Sequence, residues 1–312
     1  MRQSNTERAK KRHYYNRAVR RRASQIRQIQ QALAFITNGM EWISPGQTSG
    51  DIDPGSLHLA VSGATDRVFE RKDQPKGCDM AVGLLIDQSG SMMGPRIRKA
   101  RETAIVLAEA LDPMPGIALS IYGHTTKTTE TEGDFREQVL LIEYQSPRRR
   151  SRESLLLMRA MRNNVDGYAI SSVAKRLRQD YPNYARRIVI VIADGQPHGC
   201  EYRGDGAAKH VRRTCQVWKK RGVDVFCLAV DLPYGQEVGN EMYGKGNIVM
   251  LPKQELTCSH CDQTSSQNRY GCQGIECRIA PPEYAGGINS WTRTIVRFMR
   301  NLAEHKLERT CG

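Results

Sequence analysis

The sequence of 312 residues contains no long hydrophobic run. Its longest apolar stretches, Met80–Ile86 and Ile188–Ala193, fall far short of the roughly 20 residues that a membrane-spanning helix needs. The N-terminus is polar and charged, without the apolar core of a secretory signal. These absences predict a soluble cytoplasmic protein that has no membrane partner.

Two catalytic signatures are also missing. The sequence has no G-x-x-x-x-G-K-[ST] phosphate loop, so the chain is not expected to hydrolyse ATP itself. It has no G-x-S-x-G string where a strand would turn into a helix, so a hydrolase serine is unsupported. An enzyme with its own active site is therefore the weakest of three functional hypotheses.

Positive charge is concentrated at the N-terminus. The net charge is +14, and residues 1–30 hold ten of the 47 Lys and Arg residues against one acid. Apolar residues recur at helical spacing through the same segment, at Val19, Ala23, Ile26, Ile29, Leu33 and Ile36. The pattern predicts an amphipathic helix docked on the domain or on a partner. Two alternatives are a membrane-surface helix and a polyanion-binding arm, whose candidate contacts are Arg12, Arg20, Arg21 and Arg22.

The rest of the chain alternates buried strands with amphipathic helices. The predicted strands are Met80–Ile86, Ile117–Tyr122, Val139–Tyr144, Arg187–Ala193, Val223–Val230 and Asn247–Leu251. The predicted helices are Pro95–Leu111, Ser154–Arg162, Tyr168–Gln179, Ala207–Arg221 and Ile288–His305. This alternation is typical of an α/β fold with a doubly wound, mostly parallel central sheet flanked by helices.

The same patterns divide the chain into segments. Residues 1–40 form a basic helical extension, and residues 41–78 form a linker with an edge strand. The α/β domain covers residues 79–306, and residues 307–312 form a tail. Within the domain, residues 257–282 form a Cys-rich insertion between the last strand and the last helix.

Two of the predicted strands end in possible metal ligands. Asp87, Ser89 and Ser91 follow the first strand, and Asp194 follows the strand Arg187–Ala193. Loops beyond the carboxyl ends of parallel strands meet at one sheet edge, where such folds place their sites. Hard oxygen ligands on a tight turn suit Mg²⁺ or Mn²⁺. The alternative is that both segments are turns that hold no metal.

These segments resemble a known family. Asp87-Gln-Ser-Gly-Ser91 after an apolar strand, with Ile-Ala-Asp194-Gly a hundred residues later, resembles the metal-ion-dependent adhesion site (MIDAS) of von Willebrand factor A (VWA) domains. Further stretches are similar to the C-terminal VWA domain of the cobaltochelatase subunit CobT, namely Asp66–Arg71, Leu84–Met92, Asn164–Ala169 and Arg187–Pro197.

The resemblance implies a function as well as a fold. It implies that Asn164 and Asp166 lie at the second loop of the metal site, where most VWA domains have a Thr. It also implies a partner of the MoxR type, an AAA+ ATPase, and a role in inserting metal into a corrin ring or in remodelling a client protein. The expected function is that of an adaptor whose bound ion receives an acidic residue of the partner.

Four cysteines cluster within the insertion. Cys258, Cys261, Cys272 and Cys277 have a C-x2-C-x10-C-x4-C spacing, which fits a tetrahedral structural Zn²⁺. Unligated thiols and disulfide or redox chemistry are the alternatives. A zinc loop together with the basic arm would suit an alternative to the adaptor function, in which the protein is a nucleic-acid-associated factor of a mobile element.

Overall fold

The structure is a computed structural model that describes residues 5–37, 42–56, 58, 61–63, 65–73, 79–131, 134–195, 197–232, 235–251 and 293–298. Ten strands lie in these ranges. They are β1 (Trp42–Gln47), β2 (Asp51–Ile52), β3 (Phe69–Asp73), β4 (Met80–Asp87), β5 (Ile117–Thr131), β6 (Asp134–Ser146), β7 (Arg149–Arg150), β8 (Arg186–Ala193), β9 (Val223–Ala229) and β10 (Ile248–Met250).

Seven of these strands form the central sheet, in the order β10-β9-β8-β4-β5-β6-β7. The five strands from β10 to β5 run parallel, and β6 and β7 add an antiparallel edge. Strands β4 and β8 are almost wholly buried, as their continuous apolar sequences predict. The remaining strands, β1 to β3, form a separate antiparallel sheet.

Helices cover both faces of the central sheet. They are α1 (Asn5–Arg21), α2 (Ala23–Thr37), α3 (Pro95–Leu111), α4 (Asp166–Asp180), α5 (Gly204–Lys220) and α6 (Gly235–Tyr243). One hydrophobic cluster joins α1, α2 and α3 to one face, and a second joins α4, α5 and α6 to the other. The predicted α/β class with a mostly parallel sheet is confirmed.

The basic N-terminal segment forms two helices that pack on the domain. Ile26, Ile29 and Leu33 of α2 are buried in the same cluster as α3. Tyr15 of α1 donates a hydrogen bond to Glu109 of α3, at 2.9 Å. Burying each such apolar side chain contributes about 1.5–3 kcal/mol, so the apolar stripe of this segment is used for packing within the chain.

A long hairpin extends past the sheet. His124 of β5 lies level with Asp87, the last residue of β4, but β5 continues to Thr131 in register with β6. Seven further residues at about 3.3 Å each carry this two-stranded ribbon roughly 20 Å beyond the carboxyl edge of β4. Its base is fixed by Thr125, whose hydroxyl donates to the carbonyl of Asn163 at 3.1 Å.

Some predicted elements differ from the structure. The helix predicted over Ser154–Arg162 is a 3₁₀ turn, Arg152–Leu157, followed by irregular backbone. The backbone beyond the turn is instead paired with the loop after β4: Met161 N donates to the carbonyl of Gln88, and Gly90 N to that of Arg162. Helix α6 and strands β1, β2 and β7 were not predicted. Of the predicted closing helix, residues 293–298 are described and are helical.

None of the helices within the described ranges is both long and apolar enough to cross a membrane.

Candidate metal site

The turn after β4 gathers three of the candidate oxygen ligands. Asp87 is fully buried, and its Oδ1 accepts the backbone N–H of Ser89 at 2.7 Å. The hydroxyl oxygens of Ser89 and Ser91 lie 2.9 Å apart. The alternate spacing of these residues in a tight turn therefore brings a carboxylate and two hydroxyls together, as the sequence predicts.

Gln88 lies between these ligands in the sequence and holds the turn in place through hydrogen bonds to two distant segments. Its amide donates to the hydroxyl of Tyr144 at 3.0 Å and to the carbonyl of Arg159 at 3.2 Å. Gly123 on β5 leaves the space for it, because a Cβ there would collide with Gln88 Oε1. No local pattern in the sequence signals this role, since the contacts come from distant segments.

The second loop places Asn164 and Asp166 beside Asp87. Both residues are buried, and Asn164 Nδ2 donates to Asp87 Oδ2 at 2.9 Å and to Asp166 Oδ1 at 3.3 Å. The amide oxygen of Asn164 accepts the backbone N–H of His198. The nitrogen of this amide therefore faces the carboxylates and holds Asp87 in position, while the predicted role of Asn164 as a cation ligand stays a prediction.

Asp194 completes the cluster from the end of β8. It is fully buried, and Arg96 of α3 reaches its Oδ2 at 3.5 Å. The same guanidinium bonds Asp231 Oδ2 at 3.0 Å and the carbonyl of Ser91 at 2.9 Å. Asp231 follows the end of β9, so its position after a strand is the same sequence signal that marks Asp87 and Asp194. Arg96 carries no comparable signal in the sequence.

The site gathers three buried carboxylates, those of Asp87, Asp166 and Asp194. Burial raises the pKa of Asp87 to about 6. Burial, together with the charges of Asp87 and Asp194, raises the pKa of Asp166 well above its usual value. Arg96 supplies one positive charge against these three carboxylates. Such an excess of buried charge is costly unless a cation or a proton compensates it.

His124 also lies in this cluster. Because His124 follows the predicted strand Ile117–Tyr122, the sequence allows it to line the site but favours a solvated loop histidine. The solvated interpretation is wrong, since His124 is fully buried, with Nε2 3.5 Å from Asp166 Oδ1. Its position on β5, level with Asp87 in the sheet, places it inside the protein because the β5–β6 ribbon continues beyond it. Burial lowers its pKa to about 3, so the imidazole is neutral and does not offset the carboxylates.

The chemistry of the donor set fits a hard divalent cation. Within the described ranges no three His, Cys, Asp or Glu side chains are arranged to hold a metal ion by themselves. A cation here would need the hydroxyls of Ser89 and Ser91 in addition to the carboxylates, which is a ligand set suited to Mg²⁺ or Mn²⁺. Asp166 Oδ2 is buried without a hydrogen-bond partner, so it has a free lone pair for a bound water or ion.

The other predicted sites are placed differently. Arg12, Arg20 and Arg21 are exposed on α1, whereas Arg22 is ion-paired with Glu102 and its side chain is only 13% exposed. The four cysteines of the predicted zinc site, Cys258, Cys261, Cys272 and Cys277, lie outside the described residues.

A parallel sheet whose central strand ends in this Asp-x-Ser-x-Ser turn defines a VWA domain. The family "Cobalamin biosynthesis protein CobT VWA domain" matches residues 68–258, more than half of the sequence. The chain belongs to this family.

A curated relative shares the same region. The chain is 25% identical over 197 residues to the uncharacterized protein YojO of Bacillus subtilis (strain 168). The match covers 61% of this chain but only 30% of YojO, so the chain spans less than a third of that relative's length.

Among solved structures, the chain is similar to the pilus adhesin SpaC of Lactobacillus rhamnosus GG in its open conformation, with 11% identity, 57% of this chain and 28% of SpaC covered, and a TM-score of 0.42. The manganese-loaded TRAP protein of Plasmodium vivax is 14% identical, and the match covers 55% of this chain and 68% of TRAP with a TM-score of 0.38. The proximal thread matrix protein 1 of the mussel byssus, with a zinc-occupied MIDAS motif, is 13% identical. The match covers 55% of this chain and 41% of that protein, with a TM-score of 0.35.

Proposed function

We propose that this protein binds a divalent cation, Mg²⁺ or Mn²⁺, at the carboxyl edge of its sheet and uses it to hold an acidic side chain of a partner protein. Asp87, Ser89 and Ser91 would bind the cation, with Asp166 and Asp194 beside them. The observation that carries the proposal is the meeting of three buried carboxylates and two hydroxyls at one edge, where Arg96 approaches Asp194 at 3.5 Å.

The cation would supply one function when bound: a coordination position that an external carboxylate can occupy. The protein's own groups do the rest. Asn164 and Ser89 N–H hold Asp87 in place, and Gln88 fixes the turn that carries both hydroxyls. The negative charge beside the ion would moderate its attraction for a further carboxylate, which suits a reversible contact.

Membership of the CobT VWA family supports a partner in a chelatase-type complex. We propose that the partner is an AAA+ ATPase of the MoxR type, with the chain acting as its adaptor in metal insertion or protein remodelling. The chain has no phosphate loop of its own, so the energy of ATP would have to come from such a partner.

Cation binding is tested first, by calorimetric titration of the EDTA-treated protein with MgCl2 and MnCl2. The wild type should bind one ion, and Asp87→Ala should bind none. Asp205→Ala, which removes an exposed acid at the start of α5, is the matched control and should bind normally. Equal binding by Asp87→Ala and the wild type would refute the metal site.

The partner is tested second, by affinity capture from the native cell in Mg²⁺ and in EDTA, read by mass spectrometry. A MoxR-type ATPase captured by the wild type in Mg²⁺, and lost in EDTA and with Asp87→Ala, is the expected result. Equal capture under all three conditions would refute a metal-dependent contact.

A further inference from the structure

The two basic clusters of the sequence come together in the fold. Residues 1–30 and residues 148–152 are far apart in the chain, but α1 packs against the 3₁₀ turn Arg152–Leu157. One carboxylate joins them, since Glu109 accepts a hydrogen bond from Tyr15 and an ion pair from Arg152, each at 2.9 Å. The exposed arginines just before that turn therefore extend the basic surface of α1.

We define this surface as the basic face. Its exposed cations are Lys10, Arg12, Arg17, Arg20, Arg21, Arg149 and Arg150. Among the described residues, none of these seven side chains makes an ion pair. The acids packed beneath are engaged by other groups: Glu102 binds Arg22, and both Glu109 and Asp112 bind Arg152.

The basic face is separate from the metal site. Helix α3 begins at Pro95, beside the metal-site turn, and the contact with α1 centres on Glu109, fourteen residues along it. At 1.5 Å per residue this is about 20 Å away. A ligand bound to the basic face would therefore not compete with a partner bound at the cation.

The surroundings of these charges decide what the basic face can bind. The apolar side of the N-terminal helices, including Tyr15, Ile26 and Leu33, is buried in the protein, so it cannot enter a lipid bilayer as an amphipathic anchor must. A protein partner would need a cluster of apolar or aromatic anchors to dock tightly, and among the described residues of this region the large exposed ones are Tyr14, 59% exposed, and Leu157, 55% exposed. One tyrosine is also too little for stacking along a single strand.

We propose that the basic face binds the phosphate backbone of duplex DNA without sequence specificity. Helix α1 is 17 residues long, or about 25 Å, which matches about seven phosphate steps of one strand. The positive charges project from a rigid, packed helix, so little entropy is lost on binding. No base contact is required, since phosphate contacts alone support non-specific binding.

The test is the binding of the full-length protein to a fluorescent duplex of about 30 base pairs, measured by anisotropy over a range of salt. With about five phosphate contacts, affinity should fall by two to three orders of magnitude between roughly 50 and 200 mM salt. Triple substitution of Arg17, Arg20 and Arg21 by Gln should weaken binding at least ~30-fold at about 100 mM salt. It should also make the plot of log affinity against log salt concentration less steep, by about one unit of slope for each phosphate that is no longer neutralised.

The control variant removes three exposed cations from the opposite face of the sheet, by substituting Lys209, Arg212 and Arg213 of α5 with Gln. It has the same net charge as the test variant and should bind DNA within about threefold of the wild type. The wild type should also bind DNA normally in EDTA, which separates this proposal from the metal site.

Four results would overturn the proposal. They are no DNA binding at about 50 mM salt, an equal loss in the α5 control, tighter binding to a single strand than to the duplex, and arginine-dependent binding to phosphatidylserine vesicles without DNA binding. The last result would assign the face to a membrane surface instead.

Discussion

The side-chain amide of Asn164 links two carboxylates of the candidate site, donating to Asp87 at 2.9 Å and to Asp166 at 3.3 Å. Its oxygen is held by the N–H of His198, so the amide cannot turn without losing that bond. In this structure, a residue that family resemblance suggests as a ligand donates hydrogen bonds to two other candidate ligands.

Replacing Asn164 by Ala should destabilise the protein by about 1–3 kcal/mol, because buried acceptors lose their donor. Urea denaturation in Mg²⁺ measures the change, and exposed Gln179→Ala on α4 is the control, expected to stay within about 0.5 kcal/mol. Mg²⁺ binding should weaken but persist. Complete loss of binding in a folded Asn164→Ala protein would show that Asn164 is a ligand after all.

Gly123→Ala should distort the candidate metal site by displacing Gln88. A Cβ at this position would collide with Gln88 Oε1 and lie 3.0 Å from Tyr144 Cε2, so Gln88 must move and the turn with it. We expect a loss of about 1–3 kcal/mol in stability, as for other overpacked cores, and weaker Mg²⁺ binding. Gly206→Ala in α5 is the control, since its Cβ would meet no atom within 4 Å. Normal Mg²⁺ affinity in Gly123→Ala would contradict this account of Gln88.

The N-terminal helices should unfold together with the rest of the domain. Ile29 of α2 is fully buried in the cluster that includes α3, so Ile29→Ala should cost about 2–5 kcal/mol. Gln31→Ala, exposed on the same helix, should have little effect. The measurement is urea denaturation followed by circular dichroism. A change below about 0.5 kcal/mol for Ile29→Ala would mean that the helices are not part of the folded unit.

Three cysteines should differ sharply in their reaction with iodoacetamide at pH 8. Cys227 is fully buried, and burial raises the pKa of Cys215 to about 12, so neither has an accessible thiolate in the native state. Cys200 is exposed and should react, but slowly, because the charge of Glu137 raises its pKa. Peptide mass spectrometry gives the rates, and Glu137→Gln should speed the reaction of Cys200. Rapid labelling of Cys227 in folded protein would contradict the structure.

Local sequence patterns predicted the centre of the fold well. Strands β4 and β8 are continuous apolar runs, and the acids that follow them lie at the same edge because parallel strands end together. The patterns failed where distant segments decide the structure. Ser154–Arg162 has helical periodicity, but its backbone pairs with the loop that carries Gln88 and Gly90.

The remaining differences have the same cause. The burial of His124 depends on the pairing of β5 with β6, in a Thr-rich segment with no apolar run. The bonds of Arg96 to Asp194 and Asp231 join α3 to the ends of two strands about 100 and 135 residues away. Short-range spacing does not contain such information.

The hairpin of β5 and β6 holds two loops beside the candidate site. Glu137 of β6 accepts a hydrogen bond from Asn163 Nδ2 and another from the backbone N–H of Cys200, each at 2.6 Å. One carboxylate therefore ties the segment before Asn164 to the segment that follows β8. A partner of the proposed kind would meet loops that are already braced, and it would not have to order them itself.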